Sequence, residues 1–358
     1  MAKKVVHILY GGLGGHGQVV FTLLNQPSTD QNVHLIFYGV ESPLEEYIVK
    51  CNIKSIKYTT ISKSEGEYVK PLIQIYRQLK KIRPHIIFTH SSNAILPSIL
   101  YAVFRRSNNI FVEHHANHLK SLKEWFLSFN AMLFANNVIF LSEPYRSEVK
   151  SKLGLFFNNR KARVIPNGID LKLFSPLGKN QNTTGKIVFG MASRLAPTKD
   201  HKTLIKAFSD ANINNAILEI AGSGETQSSL KQFVVNLDIS DKVIFTGMLS
   251  QDELITFFKR LDVYVHASFG ETMSIAIAQA QACGLPIIAS DVKGINNVIH
   301  SGENGILFKT TMELCEALKK LTMDESLRKN YAKASRQYAI ENLSDEIMSK
   351  EYAKLISQ

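Results

Sequence analysis

At 358 residues, with 45% hydrophobic and 20% charged side chains, the chain has the length of two domains and an ordinary globular composition. That excludes a disordered chain, a collagen-like repeat and a small disulfide scaffold. Charge is uneven: residues 1–175 hold 22 Lys and Arg against 11 Asp and Glu, while residues 176–358 hold 20 against 20. The formal excess of +11 therefore lies in the first half, which fits either an anionic partner or a basic solvated face.

Short β-branched runs alternate with longer amphipathic stretches, which predicts parallel sheets with crossover helices. Strands are expected at residues 5–10, 33–38, 86–89, 110–113, 138–141 and 163–165, with helices over 19–24, 68–81 and 122–135. A polar stretch near 173–184, containing Pro176 and Gly178 and followed by Gly185, reads as a linker. The alternation then restarts, with strands at 187–191, 216–221, 243–246, 263–266 and 286–289 and helices at 201–210, 228–237, 251–261 and 274–283. The tail, 324–358, is charged and helical in pattern. The longest apolar run, 95–104, is broken by Pro97 and closed by Arg105 and Arg106, short of the roughly 18–20 residues that span a bilayer. The N-terminus lacks the pattern of a signal peptide. Three distant cysteines, Cys51, Cys283 and Cys315, point to a reducing compartment and no zinc, so a cytoplasmic protein is expected.

Three segments are candidates for chemistry. After the first strand, Gly12, Gly14 and Gly17 satisfy G-x-G-x-x-G, and Glu41 stands where a ribose-binding acid would. A dinucleotide oxidoreductase and a plain tight turn both explain that loop. Arg194 and Lys199 lie on one loop after the strand that opens the second half, where a planar fork and a mobile point charge can converge on one anion. The third segment, 268–286, passes from a strand through a loop carrying Glu271 into a helix closed by Gly284 and Pro286. Backbone N–H groups of Met273, Ser274 and Ile275 fall at that helix's N-terminus, a natural anion site. Glu271 is placed either to accept bonds from sugar hydroxyls or to serve the helix dipole.

Residues 189–195 with Lys199, 219–225, 243–249 and 261–290 resemble, in order, the C-terminal half of retaining glycosyltransferases of glycosyltransferase family 4. Upstream, 83–90 and 164–170 resemble that family's N-domain strand and inter-domain hinge. The resemblance spans nearly the whole chain and implies an α/β GT-B fold, two Rossmann-like doubly wound domains facing across a cleft. The implied domains are 1–175 with a crossover helix at 344–358, binding acceptor, and 176–343, binding a nucleotide-sugar. Carried over by position, Arg194 and Lys199 match the pair that grips the donor diphosphate, and Glu271 matches the first glutamate of the E-x7-E signature. Gln279 stands at the second, where a neutral amide bonds a ribose hydroxyl more weakly than a carboxylate does. Gly14 and Gly15 match the loop over the diphosphate and reacting sugar. His114 matches a histidine near that sugar, with His115 and His118 as close competitors. Gly222 is placed with the donor, and Met248 and Leu249 near its base.

The implied activity is metal-independent, retaining transfer of a hexose or N-acetylhexosamine, from a UDP-sugar by preference, in surface glycan assembly. No cofactor is implied, because the nucleotide-sugar is a co-substrate and no Asp-x-Asp motif serves a metal. The resemblance implies a lipid-linked glycan acceptor, because a basic N-domain in this family often accompanies one; Lys120, Lys123, Trp125, Phe126 and Phe129 are placed as in interfacial helices that rest on anionic membrane, and the same aromatics at helical spacing also suit a core. No RNP pattern, zinc spacing or Arg/Lys tract suggests nucleic acid. The competing classes are an NAD(P) oxidoreductase and a non-catalytic nucleotide-sugar or polysaccharide-binding protein.

Overall fold

The computed structural model describes residues 3–12, 15–25, 31–117, 120–176 and 185–357. Packing divides the chain into two compact units, Met1–Gly168 with Asp345–Gln358, and Ile169–Ser344.

In the first unit strand and helix alternate: β1 (Lys3–Tyr10), α1 (Gly15–Asn25), β2 (Gln31–Gly39), α2 (Glu45–Ile53), β3 (Lys57–Ser62), α3 (Val69–Ile82), β4 (Ile86–Thr89), α4 (Ile95–Arg105), β5 (Asn108–Glu113), α5 (Leu122–Phe134), β6 (Asn137–Phe140), α6 (Glu143–Leu153) and β7 (Ala162–Val164). Their strands form one parallel sheet in the order β3-β2-β1-β4-β5-β6-β7. The central strands β4 and β6 are buried along their whole length because helices cover both faces. One face packs Val6, Ile8, Ile36 and Ile87 against Ile75 and Leu79 of α3. The other packs Leu9, Leu35 and Phe37 against Val20 and Phe21 of α1 and Tyr47 of α2.

The second unit repeats the plan: β8 (Ile187–Ala192), α7 (His201–Ala211), β9 (Ala216–Ala221), α8 (Gln227–Asn236), β10 (Val243–Gly247), α9 (Gln251–Arg260), β11 (Val263–His266), α10 (Ile275–Ala282), β12 (Ile287–Ser290), β13 (Gly305–Phe308), α11 (Thr311–Met323) and α12 (Glu325–Asn342). Its parallel sheet has the order β10-β9-β8-β11-β12-β13. Both sheets are doubly wound. The strand order reverses between β1 and β4 in one and between β8 and β11 in the other, and a crevice opens beyond the strand ends at such a point.

The elements absent from the sequence expectation are β3, β13, α2, α4, α6 and α11. In β3, an edge strand, only Ile61 is buried, so no apolar run marks it. In α4, Pro97 sits in the first turn, where its missing N–H has no intrahelical partner to lose.

The boundary also differs. Residues 169–175, expected in the first domain, pack into the second unit. Ile169 and Phe174 lie in its core, and Phe174 stands T-shaped to Phe258 at 6.2 Å. Arg336 of α12 donates to the carbonyls of Leu171 (3.1 Å), Phe174 (3.0 Å) and Ala282 (2.5 Å), fastening the segment there. The last helix, α13 (Asp345–Ser357), packs with the first unit, its Tyr352 ring 5.3 Å from Phe88. Among the described residues no helix is long and apolar enough to cross a membrane.

Candidate active site

The second unit's candidate site grows from the two strands that flank its switch point. β8 ends at Ala192 and runs into the loop bearing Arg194 and Lys199, while β11 ends at His266 and runs into the loop bearing Glu271. The two loops are joined by backbone bonds. Asp200 donates to the Ala267 carbonyl (3.0 Å) and Phe269 to that of Thr198 (3.2 Å). Asp200 also caps α7, its side chain accepting from Thr203 N–H at 3.3 Å. A loop tied at both ends holds its side chains in one place, which is what a preorganised site requires.

Across these loops Lys199 Nζ forms an ion pair with Glu271 Oε1, and both side chains are largely shielded from solvent. His266 Nε2 lies 2.9 Å from the same oxygen, and Tyr264 Oη lies 3.1 Å from His266 Nδ1. Burial raises the Glu271 pKa, but the His266 hydrogen bond and the Lys199 charge outweigh it and bring the carboxyl down to about 2. Glu271 is therefore an anion that only accepts. Burial lowers the His266 pKa, against the opposing pull of Glu271, so that ring is neutral and has a single N–H. The proton must sit on Nε2, facing the carboxylate, while the Tyr264 hydroxyl, which donates to the Ala192 carbonyl at 3.2 Å, stands against Nδ1. The array Lys199–Glu271–His266–Tyr264 thus orients Glu271 from two sides.

The mouth of α10 adjoins this array. Ser274 is its N-cap: Oγ accepts from Ile277 N–H at 3.3 Å and lies 3.5 Å from His266 Nε2. The first N–H groups of the helix, from Ile275 onward, have no intrahelical acceptor and carry the positive end of the helix dipole. Met273 packs against the core beside them. Gln279, in the second turn of α10, is 5% exposed.

Arg194 stands on the same loop as Lys199 with an exposed side chain. Gly222 lets the neighbouring loop approach it: a Cβ there would lie 1.9 Å from the Ser193 carbonyl oxygen, and φ is +129°. Leu195 N–H donates to the Ser223 carbonyl (2.9 Å), and Gly222 N–H donates to that of Gly247 (2.7 Å). The glycine run after β9 therefore links the Arg194 loop to the end of β10, where Met248 is exposed and Leu249 packs on the core. Behind Glu271, Gly294 (φ +85°) leaves room for a backbone approach that a Cβ would block at 1.8 Å from the Glu271 carbonyl oxygen.

In the first unit the glycine loop follows β1, and Gly15 opens α1. Gly14 and His118 lie outside the described residues. Glu41 stands on the exposed loop just past β2, its carboxylate against Gly12. His114 follows the last residue of β5 and is partly exposed, its Nε2 3.1 Å from His90 Nδ1. The loop that carries it is clamped by a buried ion pair. Glu113 Oε2 accepts from Lys120 Nζ (2.7 Å) and Ser128 Oγ (2.6 Å), and Lys120 Nζ also lies 4.7 Å from the Trp125 ring. His115 is engaged elsewhere, Nδ1 lying 2.6 Å from Glu124. Among the described residues no group of three or more His, Cys, Asp or Glu side chains is arranged to hold a metal ion.

The structure thus brings Lys199, Glu271 and Ser274 into one array and sets Gly222 against the Arg194 loop. Sequence reasoning missed Tyr264, His266, His7 and His90. The i, i+2 spacing of Tyr264 and His266 places both on one face of β11, the one signal that could have paired them.

Residues 13–173 match the family model described as Glycosyltransferase Family 4, and residues 177–338 match that of Glycosyl transferases group 1. The chain is 26% identical, over 392 aligned positions covering 99% of both proteins, to an uncharacterized glycosyltransferase of Methanocaldococcus jannaschii. It is 28% identical over 262 positions to the UDP-Gal:alpha-D-GlcNAc-diphosphoundecaprenol alpha-1,3-galactosyltransferase of Escherichia coli, covering 67% of this chain and 66% of that one. Among solved structures, Anabaena HepE in complex with UDP and glucose superposes with a TM-score of 0.85 at 18% identity, covering 99% of this chain and all of that one, a likeness of fold.

Proposed function

We propose that this chain, which belongs to glycosyltransferase family 4 and has its two-domain GT-B fold, moves a hexose or N-acetylhexosamine from a UDP-sugar to a lipid-linked sugar acceptor, retaining the anomeric configuration without a metal. The observation that carries this reading is the convergence of Lys199 and His266 on Glu271 beside the mouth of α10, at the switch point of the second sheet. UDP is favoured by the E. coli relative, named for a UDP-galactose donor, and by the UDP in the HepE complex. The diphosphoundecaprenol in that relative's name favours a lipid-linked acceptor.

The chemistry follows from charge. As the bond between the anomeric carbon and the donor phosphate breaks, its electron pair leaves with the diphosphate. Arg194, Lys199 and the first N–H groups of α10 meet that negative charge where it develops. Lys199 has three N–H donors, so it can reach a phosphate oxygen while keeping Glu271 in place. Glu271, held as an anion, accepts from hydroxyls of the sugar and orients it. The acceptor oxygen bonds the anomeric carbon from the face the phosphate leaves, and its proton passes to the departing phosphate oxygen. No separate protein base is needed. By their match to the family, Gly14, Gly15 and His114 are assigned to the donor sugar, and Gly222, Met248, Leu249 and Gln279 to the nucleotide.

Family membership of both halves displaces the oxidoreductase reading of the first glycine loop. Membrane contact of the first unit is supported by Leu122 and Phe126, which are 90% and 59% exposed beside Lys123. Trp125, by contrast, packs on the core between Lys120 and Lys152. The test is UDP release from a panel of UDP-sugars in the presence of a chelator, with an undecaprenyl-linked sugar as acceptor. Release with retained linkage supports the reading; hydride transfer from NADPH, or binding without release, sinks it.

A further inference from the structure

β1 runs through the middle of the first unit's sheet, and the residues around His7 there, Val5, Val6, Ile8 and Leu9, are fully buried and apolar. His7 is itself buried. An imidazole in such a place is costly unless hydrogen-bonded, and an aliphatic side chain would fill the space without that cost. His7 is bonded, and to a second buried imidazole: its Nδ1 lies 3.0 Å from His90 Nε2. His90, one residue past β4, continues through its own Nδ1 to His114 Nε2 at 3.1 Å. The His7 ring stacks on Phe88 at 4.8 Å and lies within 17° of the His90 plane. Three imidazoles therefore run in one line of hydrogen bonds from the sheet interior to the partly exposed end of β5.

Burial lowers the His7 pKa to about 3, which leaves that ring neutral at pH 7. A neutral imidazole donates from one nitrogen and accepts at the other. If His90 donates from Nε2 to His7, its Nδ1 must accept, so His114 donates from Nε2 and keeps a lone pair on Nδ1. If His7 donates from Nδ1 instead, His90 also donates from Nδ1, and His114 carries N–H at Nδ1. In both states the three rings bear their protons on the same nitrogen. Any mixed arrangement of neutral rings breaks a bond.

We propose that His7, His90 and His114 work as one tautomeric unit, in which His7 and His90 are positioning residues that decide whether His114 offers a lone pair or an N–H to a ligand hydroxyl. This deepens the proposed function and rests on His114 meeting a hydroxyl of the donor sugar or the acceptor. A hydroxyl both donates and accepts. The sense in which the two bonds run therefore fixes whether His114 meets the proton or the lone pair of that hydroxyl.

The experiment uses the full chain with 15N-labelled histidine and reads ring tautomers by long-range 1H–15N correlation at pH 7.5. The wild-type protein should show His7, His90 and His114 in one shared tautomer. His7→Phe, which keeps the stacked ring and deletes Nδ1, should release His114 into a mixture and lower kcat about tenfold, with KM for the UDP-sugar changed less than twofold. Unlike tautomers in the wild type, an imidazolium at His90, or a His114 signature unmoved by His7→Phe overturns the proposal. The wild-type measurement needs no variant to fold. A shared tautomer in a protein that releases UDP from no donor would refute the transferase reading and leave the histidine unit standing.

Discussion

His266 donates from Nε2 to the same Glu271 oxygen that Lys199 holds, at 2.9 Å, from a position five residues away in sequence; Lys199 comes from 72 away. One carboxylate oxygen is thus fixed by a neutral donor and a cation together. Removing either partner should loosen Glu271. His266→Leu is expected to lower kcat by roughly ten- to a hundredfold while the fold persists, because the buried ring gives way to an aliphatic group of similar size. Steady-state kinetics beside circular dichroism measures both.

Arg194 lies exposed on its loop, outside the buried cores. Arg194→Ala should therefore leave the melting temperature within a degree or two and cost on the order of 10²–10³ in rate. Wild-type turnover in that variant would remove Arg194 from the site.

Stability should fall on acidification in two stages. His7 and His201 have their pKa lowered by burial to about 3 and about 4. An unfolded histidine takes its proton near pH 6.5, while the folded rings do not, so their contribution is intact above 6.5 and is lost as pH falls toward 4 and 3. Glu271, folded pKa about 2, adds stability above the ordinary carboxylate value of 4.5 that is lost as pH falls toward 2. Urea unfolding at stepped pH should show the earlier decline flattened in His7→Phe and the later one flattened in Glu271→Gln.

The pair Glu113–Lys120 is almost fully buried. Lys120→Met leaves the Glu113 carboxylate without its cation, and unfolding free energy should drop by about 3–5 kcal/mol. The double variant Glu113→Gln with Lys120→Met should recover part of that loss. A single variant as stable as wild type would show that the pair does not clamp the His114 loop.

Gly222→Ala adds a methyl group 1.9 Å from the Ser193 carbonyl oxygen, at a φ that L residues rarely adopt. The Arg194 loop has to move. Loss of about 2 kcal/mol and of most activity is expected, and a crystal structure of the variant would show residues 193–195 displaced.

The alternation of strands and helices, the buried central strands and the glycine loops were legible in the sequence because each is a local pattern of one or two periods. Edge strands such as β3, and α4 with Pro97 in its first turn, were not, since their local signals are weak or misleading. Residue types also marked Arg194, Lys199 and Glu271 as candidates for chemistry before any fold was known. What only the tertiary structure decided is which groups meet. Lys199 reaches Glu271, and His7 reaches His90 from 83 residues away, because parallel strands placed in register bring their carboxyl ends side by side. Hydrogen bonding between imidazoles acts over about 3 Å, and no spacing along a chain encodes such a distance until the sheet has formed.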